Sequence, residues 1–376
     1  MTPSLPLDGI RVVDLSRVLA GPFATMLLAD LGADVVKVEP PDGDESRAWG
    51  PPWWGDPAER RSAYFASVNR NKRSVVLDLR TDAGRTDLDR LLAGADLLVH
   101  NYRPATAARL GLEREALRAR HPAIVVATVG GFPGVDADRP AYDLLAQAVS
   151  GLMSVTGDPG GSPMKVGVAL LDLLAGLECA VGALALLIGR GSTSAGSVQV
   201  SLVEAGVAGL TNVLANHLAT GAEPGRHGNV HPNIVPYQPF AAADGDLVLA
   251  VGNDQQFARL CAVLDLPVDP GFATNPQRVA RRVELVAALG TAIHRRRRAE
   301  LLAALEEADV PAGPVNRVGE AVAALERAHP EGWVTTVDGM RFPPSPVRVD
   351  GEGTPIRRAP PLLGEHTAEV LAELTQ

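Results

Sequence analysis

Residues 10–38, IRVVDLSRVLAGPFATMLLADLGADVVKV, decide the fold. Ile10–Leu15 is a short apolar run, Ala24–Leu31 has the composition of a helix stopped by Gly32, and Val35–Val38 is a second β-branched run. Strand, helix and strand in so short a span make a βαβ unit, whose strands lie parallel. The pattern repeats downstream. Ser74–Leu79 reads as a strand, Ala83–Leu92 as a helix closed by Gly94, Asp96–His100 as a strand, and Ile124–Val129 as another. None of these runs alternates apolar with polar residues, so the sheet is expected to be covered on both faces. The expectation is an α/β chain built on a doubly wound parallel sheet.

The turn after the first strand, SRVLAGPFAT, has no GxGxxG, so a dinucleotide cofactor lacks support, while the strand ends still offer a ligand crevice. Further on, the pattern predicts helices over Tyr142–Val155, Leu173–Ile188 and Val203–Thr220, with a strand at Ser197–Ser201. Residues 221–237, rich in Gly, Pro, His and Asn, mark a composition shift. Beyond them come a strand at Asp246–Val251, a helix at Asp254–Leu264 and helical sequence over Val279–Ala308. The division this predicts is a large domain from 1–220 plus 320–376, with the proline-rich tail returning to the first sheet, and a smaller α+β domain over 221–319.

A chain of 376 residues buries roughly 75% of its unfolded surface and needs no metal or disulfide for stability. Cys179 and Cys261 lie far apart in apolar segments, without metal-ligand spacing, and the N-terminus shows no signal sequence, so the expected compartment is the reducing cytoplasm. The net charge of -9 argues against nucleic acid as a partner. Val166–Gly189 is long and apolar enough to span a bilayer but carries Asp172 and Glu178 and lacks aromatic flanks; a buried helix, and no membrane partner, is the expectation. His227 and His231 sit in HGNVHP, where Gly and Pro prevent a helical metal pair, so no metal is expected. Of the 35 basic residues only Lys37, Lys72 and Lys165 are lysines.

Several collinear stretches, VVDLSRVLAGPFATMLLADLGADVVKVEPPDGDESRAW (12–49), NKRSVVLDL (71–79), NYRPATAARLGL (101–112), YDLLAQAVSGLMSVTG (142–157), KVGVALLDLLAG (165–176) and VPYQPFAAADGDLVLAVGNDQQFARLC (235–261), together resemble the family III CoA-transferases. This family includes formyl-CoA, carnitine and glutarate CoA-transferases and, as a branch, α-methylacyl-CoA racemase. The resemblance implies a Rossmann-like large domain made from both chain ends, a smaller domain between them, and two subunits interlocked as ring-like partners in a homodimer. It implies no permanently bound cofactor, coenzyme A and acyl-CoA being substrates together with a carboxylic acid.

On that resemblance Asp172 matches the catalytic aspartate. A carboxylate suits thioester exchange because its acyl adduct is an anhydride that a thiolate can reopen. Read alone, Asp172 is equally an N-cap before an apolar helix. Coenzyme A contacts carry over to Val18, Ala20, Lys72, Asn101, Tyr102 and Arg109; as isolated residues Lys72 and Arg109 read as solvated charges. Substrate-site positions carry over to Leu19, Trp49, Tyr142, Asp143 and Gly228, the last within a lid-like loop at 226–229. Tyr142 stands where racemases of the family have the histidine that moves an α-proton, which favours transfer over racemisation. Formyl-CoA transferase has Gln at Leu19 and a basic residue at Pro40; in this chain the phosphate contacts there are expected either to be fewer or to be supplied by Arg47. The function expected is an acyl-CoA:carboxylate CoA-transferase, with dicarboxylates such as succinate or glutarate as the substrate class. An α-methylacyl-CoA racemase and a non-catalytic CoA-binding protein are the rivals, distinguished by solvent deuterium entering the α-carbon and by absence of exchange.

Overall fold

The computed structural model describes residues 5–56, 60–189, 196–267, 269–329 and 331–374, which form two compact units. The first comprises Met1–Met153, Lys165–Pro224 and Glu331–Gln376. Its six strands are β1 (Arg11–Asp14), β2 (Asp34–Glu39), β3 (Lys72–Val76), β4 (Leu97–His100), β5 (Val125–Gly130) and β6 (Ser197–Ser201). They run parallel in the order β3-β2-β1-β4-β5-β6. Val13 registers with Val36 on one side and Leu98 on the other, so β1 is central. From β1 the chain winds outward one way, and from β4 the other; the loops after these two strands diverge and leave a crevice at their carboxyl ends.

The helices that concern the site are α1 (Ala20–Asp30), α2 (Asp82–Ala93), α3 (Asp143–Val149), α4 (Leu170–Ile188) and α5 (Leu202–Gly209). One sheet face packs Val12, Val35, Leu97 and Val125 against α1 and α4; the other packs Val13, Val36, Leu98 and Val126 against α2 and neighbouring helices. Burial on both faces is what the non-alternating apolar runs require. α4 is long and apolar enough to cross a membrane by length and composition. Here Leu171, Ala175, Cys179 and Ala183 recur at four-residue spacing and turn one side into the core. The tail closes the β3 edge: Ser74 accepts the His366 amide at 2.9 Å, and the Thr367 hydroxyl accepts the Val76 amide at 3.1 Å.

Several expected boundaries move, each for a local reason. α1 starts at Ala20 because Pro22 lies in the first helical turn, where its missing N–H costs nothing. The helix expected over Tyr142–Val155 breaks at Gly151, which takes φ +88°, and that over Val203–Thr220 breaks at Thr211, φ +45°. β3 begins two residues earlier than expected, because Lys72 and Arg73 are buried and continue the strand.

The second unit comprises Ser154–Met164 and Gly225–Pro330. It holds an antiparallel sheet of β7 (Tyr237–Ala242), β8 (Gly245–Ala250) and β9 (Ala312–Pro314), packed with the helices Asp254–Val263, Arg282–His294 and Arg298–Glu307 around Phe240, Leu247, Phe257, Leu289 and Leu301. β7 carries Pro239 and so did not read as a strand; an edge strand tolerates proline. Residues 154–164 join this unit through contacts with a segment distant in sequence. The Arg226 guanidinium donates to the carbonyls of Asp158 at 3.2 Å, Ser154 at 3.3 Å and Gly161 at 2.6 Å, and the Gly228 amide donates to Gly157 at 3.0 Å. The boundary expected at 221–319 misses this piece.

Candidate functional site

A cavity of about 950 Å³ opens at the crevice, walled by the turn Arg17–Ala20, the loop His100–Pro104, Tyr142 and Asp172. That volume is at the upper end for a single small-molecule site, as an elongated ligand requires.

Asp172 lies in the first turn of α4. Ala169 is the N-cap and supplies no side-chain acceptor, so the helix start needs one from elsewhere. Asp143, in the first turn of α3, provides it: its Oδ1 accepts the Leu171 amide at 2.8 Å and the Asp172 amide at 3.4 Å. Gln147, one turn along α3, donates Nε2 to the other Asp143 oxygen at 2.5 Å and accepts the Val166 amide at 2.9 Å. Asp143 is thus buried and fully engaged, while Asp172 keeps its carboxyl for the cavity. Burial, reinforced by the neighbouring Asp143 carboxylate, pushes the Asp172 carboxyl up to about 7. Desolvation and like charge therefore outweigh the helix N-terminus in setting its proton affinity.

Gly176 explains how α4 comes so near. A Cβ there would stand 2.6 Å from the Ala20 carbonyl oxygen and 3.0 Å from the Phe23 ring. Asp172 is one turn away on the same helix face, so this close approach sets it beside the start of α1.

The two loops of the crevice are tied together by Asn101, whose Oδ1 accepts the Arg17 amide at 3.0 Å and whose Nδ2 donates to the Arg17 carbonyl at 2.8 Å. The Tyr102 ring stacks on His100 with centroids 5.9 Å apart, and the Arg17 guanidinium lies 5.8 Å from the Tyr102 centroid. His100 is buried, its imidazole pushed down to about 4 by that burial, and its Nδ1 has no partner among the described residues.

The structure brings together Val18, Leu19, Ala20, Asn101, Tyr102, Tyr142 and Asp172 at one cavity, with Asp143 directly behind Asp172. It does not bring Lys72 there. That ammonium is fully buried and donates to Asp14 at 3.0 Å, the Pro22 carbonyl at 2.8 Å and Asn69 at 2.8 Å, so a phosphate cannot reach it. Arg109 is exposed on a separate small groove with Arg85 and Arg120. Arg47 holds Glu39 at 2.7 Å and stacks 3.7 Å over Phe65, so it does not replace the basic residue absent at Pro40. Trp49 meets Tyr64 edge-on at 4.8 Å. Gly228 belongs to the second unit.

Arg17, Arg103, Arg114 and Arg139 also line the cavity and were not singled out in the sequence. Only Arg17, beside VLAGP, carried a positional signal. Tyr64 was missed as well: burial first, and then the carboxylates of Asp172 and Asp143, push its phenol up to about 12. It therefore remains a hydrogen-bond donor at any working pH.

Residues 7–367 match the family described as CoA-transferase family III. A succinate–glutarate CoA-transferase of Agrobacterium fabrum is 42% identical, the match covering 98% of this chain and 96% of that protein. The human succinyl-CoA:glutarate CoA-transferase is 39% identical over 98% of this chain and 86% of its own. The crystal structure of a CaiB/BaiF family protein from Brucella suis superposes with a TM-score of 0.88 at 39% identity, covering 99% of this chain and all of that one. With a family match over nearly its whole length, a relative of known activity at 42% identity and the same fold, this chain belongs to the family III CoA-transferases.

Proposed function

We propose that the chain is an acyl-CoA:carboxylate CoA-transferase in which Asp172 is the nucleophile. The observation that carries this reading is a carboxyl group held at the cavity wall with its proton affinity raised to near neutrality, capped from behind by Asp143. An Asp172 oxygen attacks the thioester carbonyl; the C–S bond breaks, and a mixed anhydride and CoA thiolate result. The thiolate attacks the aspartyl carbonyl, releasing the donor acid and leaving an aspartyl-CoA thioester. The acceptor carboxylate attacks this thioester, the thiolate leaves, and its return to the acceptor's acyl carbon frees Asp172.

A dicarboxylate substrate class is supported by the succinate and glutarate in the relatives' names, and by Leu19, whose apolar side chain on the cavity wall suits a methylene chain. Intact-protein mass spectrometry after incubation with succinyl-CoA, followed by hydroxylamine, tests the mechanism. The expected product is a single hydroxamate at Asp172; adducts elsewhere, or none with any acyl-CoA, defeat the proposal.

Because the nucleophile must be ionised, kcat/KM should rise with pH to a plateau with an inflection near 7 in the free enzyme. Asp143→Asn keeps an acceptor for the α4 amides and removes the charge, so the inflection should move to lower pH. An unmoved profile would show that Asp143 does not act on Asp172.

We also propose that two copies assemble as interlocked rings. Leu177, Val181 and Ile188 form an exposed apolar strip along α4, the kind of surface a second copy covers. Sedimentation should give the mass of two chains at all dilutions, with dissociation only on unfolding; a monomer–dimer equilibrium of folded chains would contradict interlocking.

A further inference from the structure

The turn that lines the cavity contains a backbone conformation its own residues disfavour. Val18 takes φ +70°, in the left-handed region that β-branched side chains avoid. Something must hold it there. The Val18 amide donates to both oxygens of Asp44, at 3.3 and 3.2 Å. Asp44 is itself fixed by the Ser46 amide at 3.0 Å, the Ser46 hydroxyl at 2.8 Å and the Lys37 ammonium at 3.0 Å. Lys37 also donates to the Ser16 carbonyl at 2.8 Å, so one buried ion pair grips the turn on both sides of Arg17. Both charged side chains are completely buried. Neither lines the cavity, and neither has a part in the chemistry above.

We propose that Asp44, locked by Lys37, is the positioning residue that holds Val18 in its left-handed conformation and thereby shapes the wall against which the acyl-CoA lies. This rests on the CoA-transferase reading of the cavity. The Lys37–Asp44 pair acts through the turn: it presents Val18, Leu19 and Ala20 in one arrangement before the ligand arrives, so binding does not have to order them.

The test uses the full chain and succinyl-CoA. Removing one partner alone would strand a buried charge, so both are replaced together, as Lys37→Met with Asp44→Ala. The KM for succinyl-CoA should rise about tenfold or more, while the KM for the acceptor acid stays within about twofold. Adding Val18→Gly, which occupies positive φ without strain, should recover at least half of that loss on a logarithmic scale. In the wild-type background Val18→Gly should raise Tm by about 2 °C, and in the double variant it should not, because there the turn has already relaxed. Equal rises in both backgrounds, or a KM change shared by both substrates, overturns the proposal. If the double variant does not fold, hydrogen exchange on the wild-type protein decides: the Val18 amide should be protected, and exchange at the rate of an unbonded loop amide refutes the clamp. A wild-type protein without transferase activity would sink the functional reading alone, since the Tm comparison and amide exchange still report on the turn.

Discussion

Asp172→Ala is expected to reduce CoA transfer by about four orders of magnitude, since the carboxylate that forms and returns the acyl bond is gone. Asp172→Asn should do the same while making the protein more stable at pH 8. The Asp172 carboxyl titrates near 7 in the folded chain against 3.8 for the ordinary group. A folded-state value above the unfolded one means that the native protein holds this proton more tightly. Ionising it costs stability progressively as pH rises from about 4 to 7, and the whole penalty is present above that. Three pH units would correspond to about 4 kcal/mol in a dry site; with part of the side chain in solvent, ~2 kcal/mol is the reasonable size. Calorimetry should thus show Asp172→Asn melting several degrees above wild type at pH 8 and level with it near pH 4. Equal melting at both pH values would show that the carboxylate is not under strain, and residual turnover near wild type would remove it from the mechanism.

Gly176→Ala should damage catalysis severely although the residue has no chemistry of its own. The new methyl group would sit 2.6 Å from the Ala20 carbonyl oxygen, a backbone atom that cannot swing aside. Either α1 or α4 must move by several tenths of an ångström, at about 1–3 kcal/mol of overpacking. The displacement separates Asp172 from the turn at Val18–Ala20, and turnover should fall about a hundredfold. Gly290→Ala is the control. It lies in the helix Arg282–His294, and a methyl there meets nothing within 4 Å. Its effect should be a gain of about 0.5–1 kcal/mol from helix propensity. Full kcat with unchanged Tm for Gly176→Ala would mean that the close approach does not position the nucleophile.

The parallel sheet was readable because its strands are unbroken apolar runs separated by helices that end at glycine, signals that depend only on near neighbours. β7 was not, because Pro239 is disfavoured in a strand and acceptable only once that strand is known to lie at an edge. The same limit governs the site. Asp172 stood out through a string of residues around it, and the VLAGP turn likewise. The cap by Asp143 joins segments 29 residues apart, and no periodicity encodes it. Lys72 misled for the opposite reason: the resemblance made it a coenzyme A contact, whereas its ammonium is neutralised by Asp14, contributed by a strand 58 residues earlier.

The interment of Lys37 and Lys72 has a chemical corollary. Mixed anhydrides and thioesters react readily with primary amines, and such a capture would end catalysis permanently. The basic side chains on the cavity wall, Arg17, Arg103, Arg114 and Arg139, are all guanidinium groups, whose delocalised charge makes them poor nucleophiles. Among the described residues of the wall there is no lysine, so the activated acyl group meets no primary amine there.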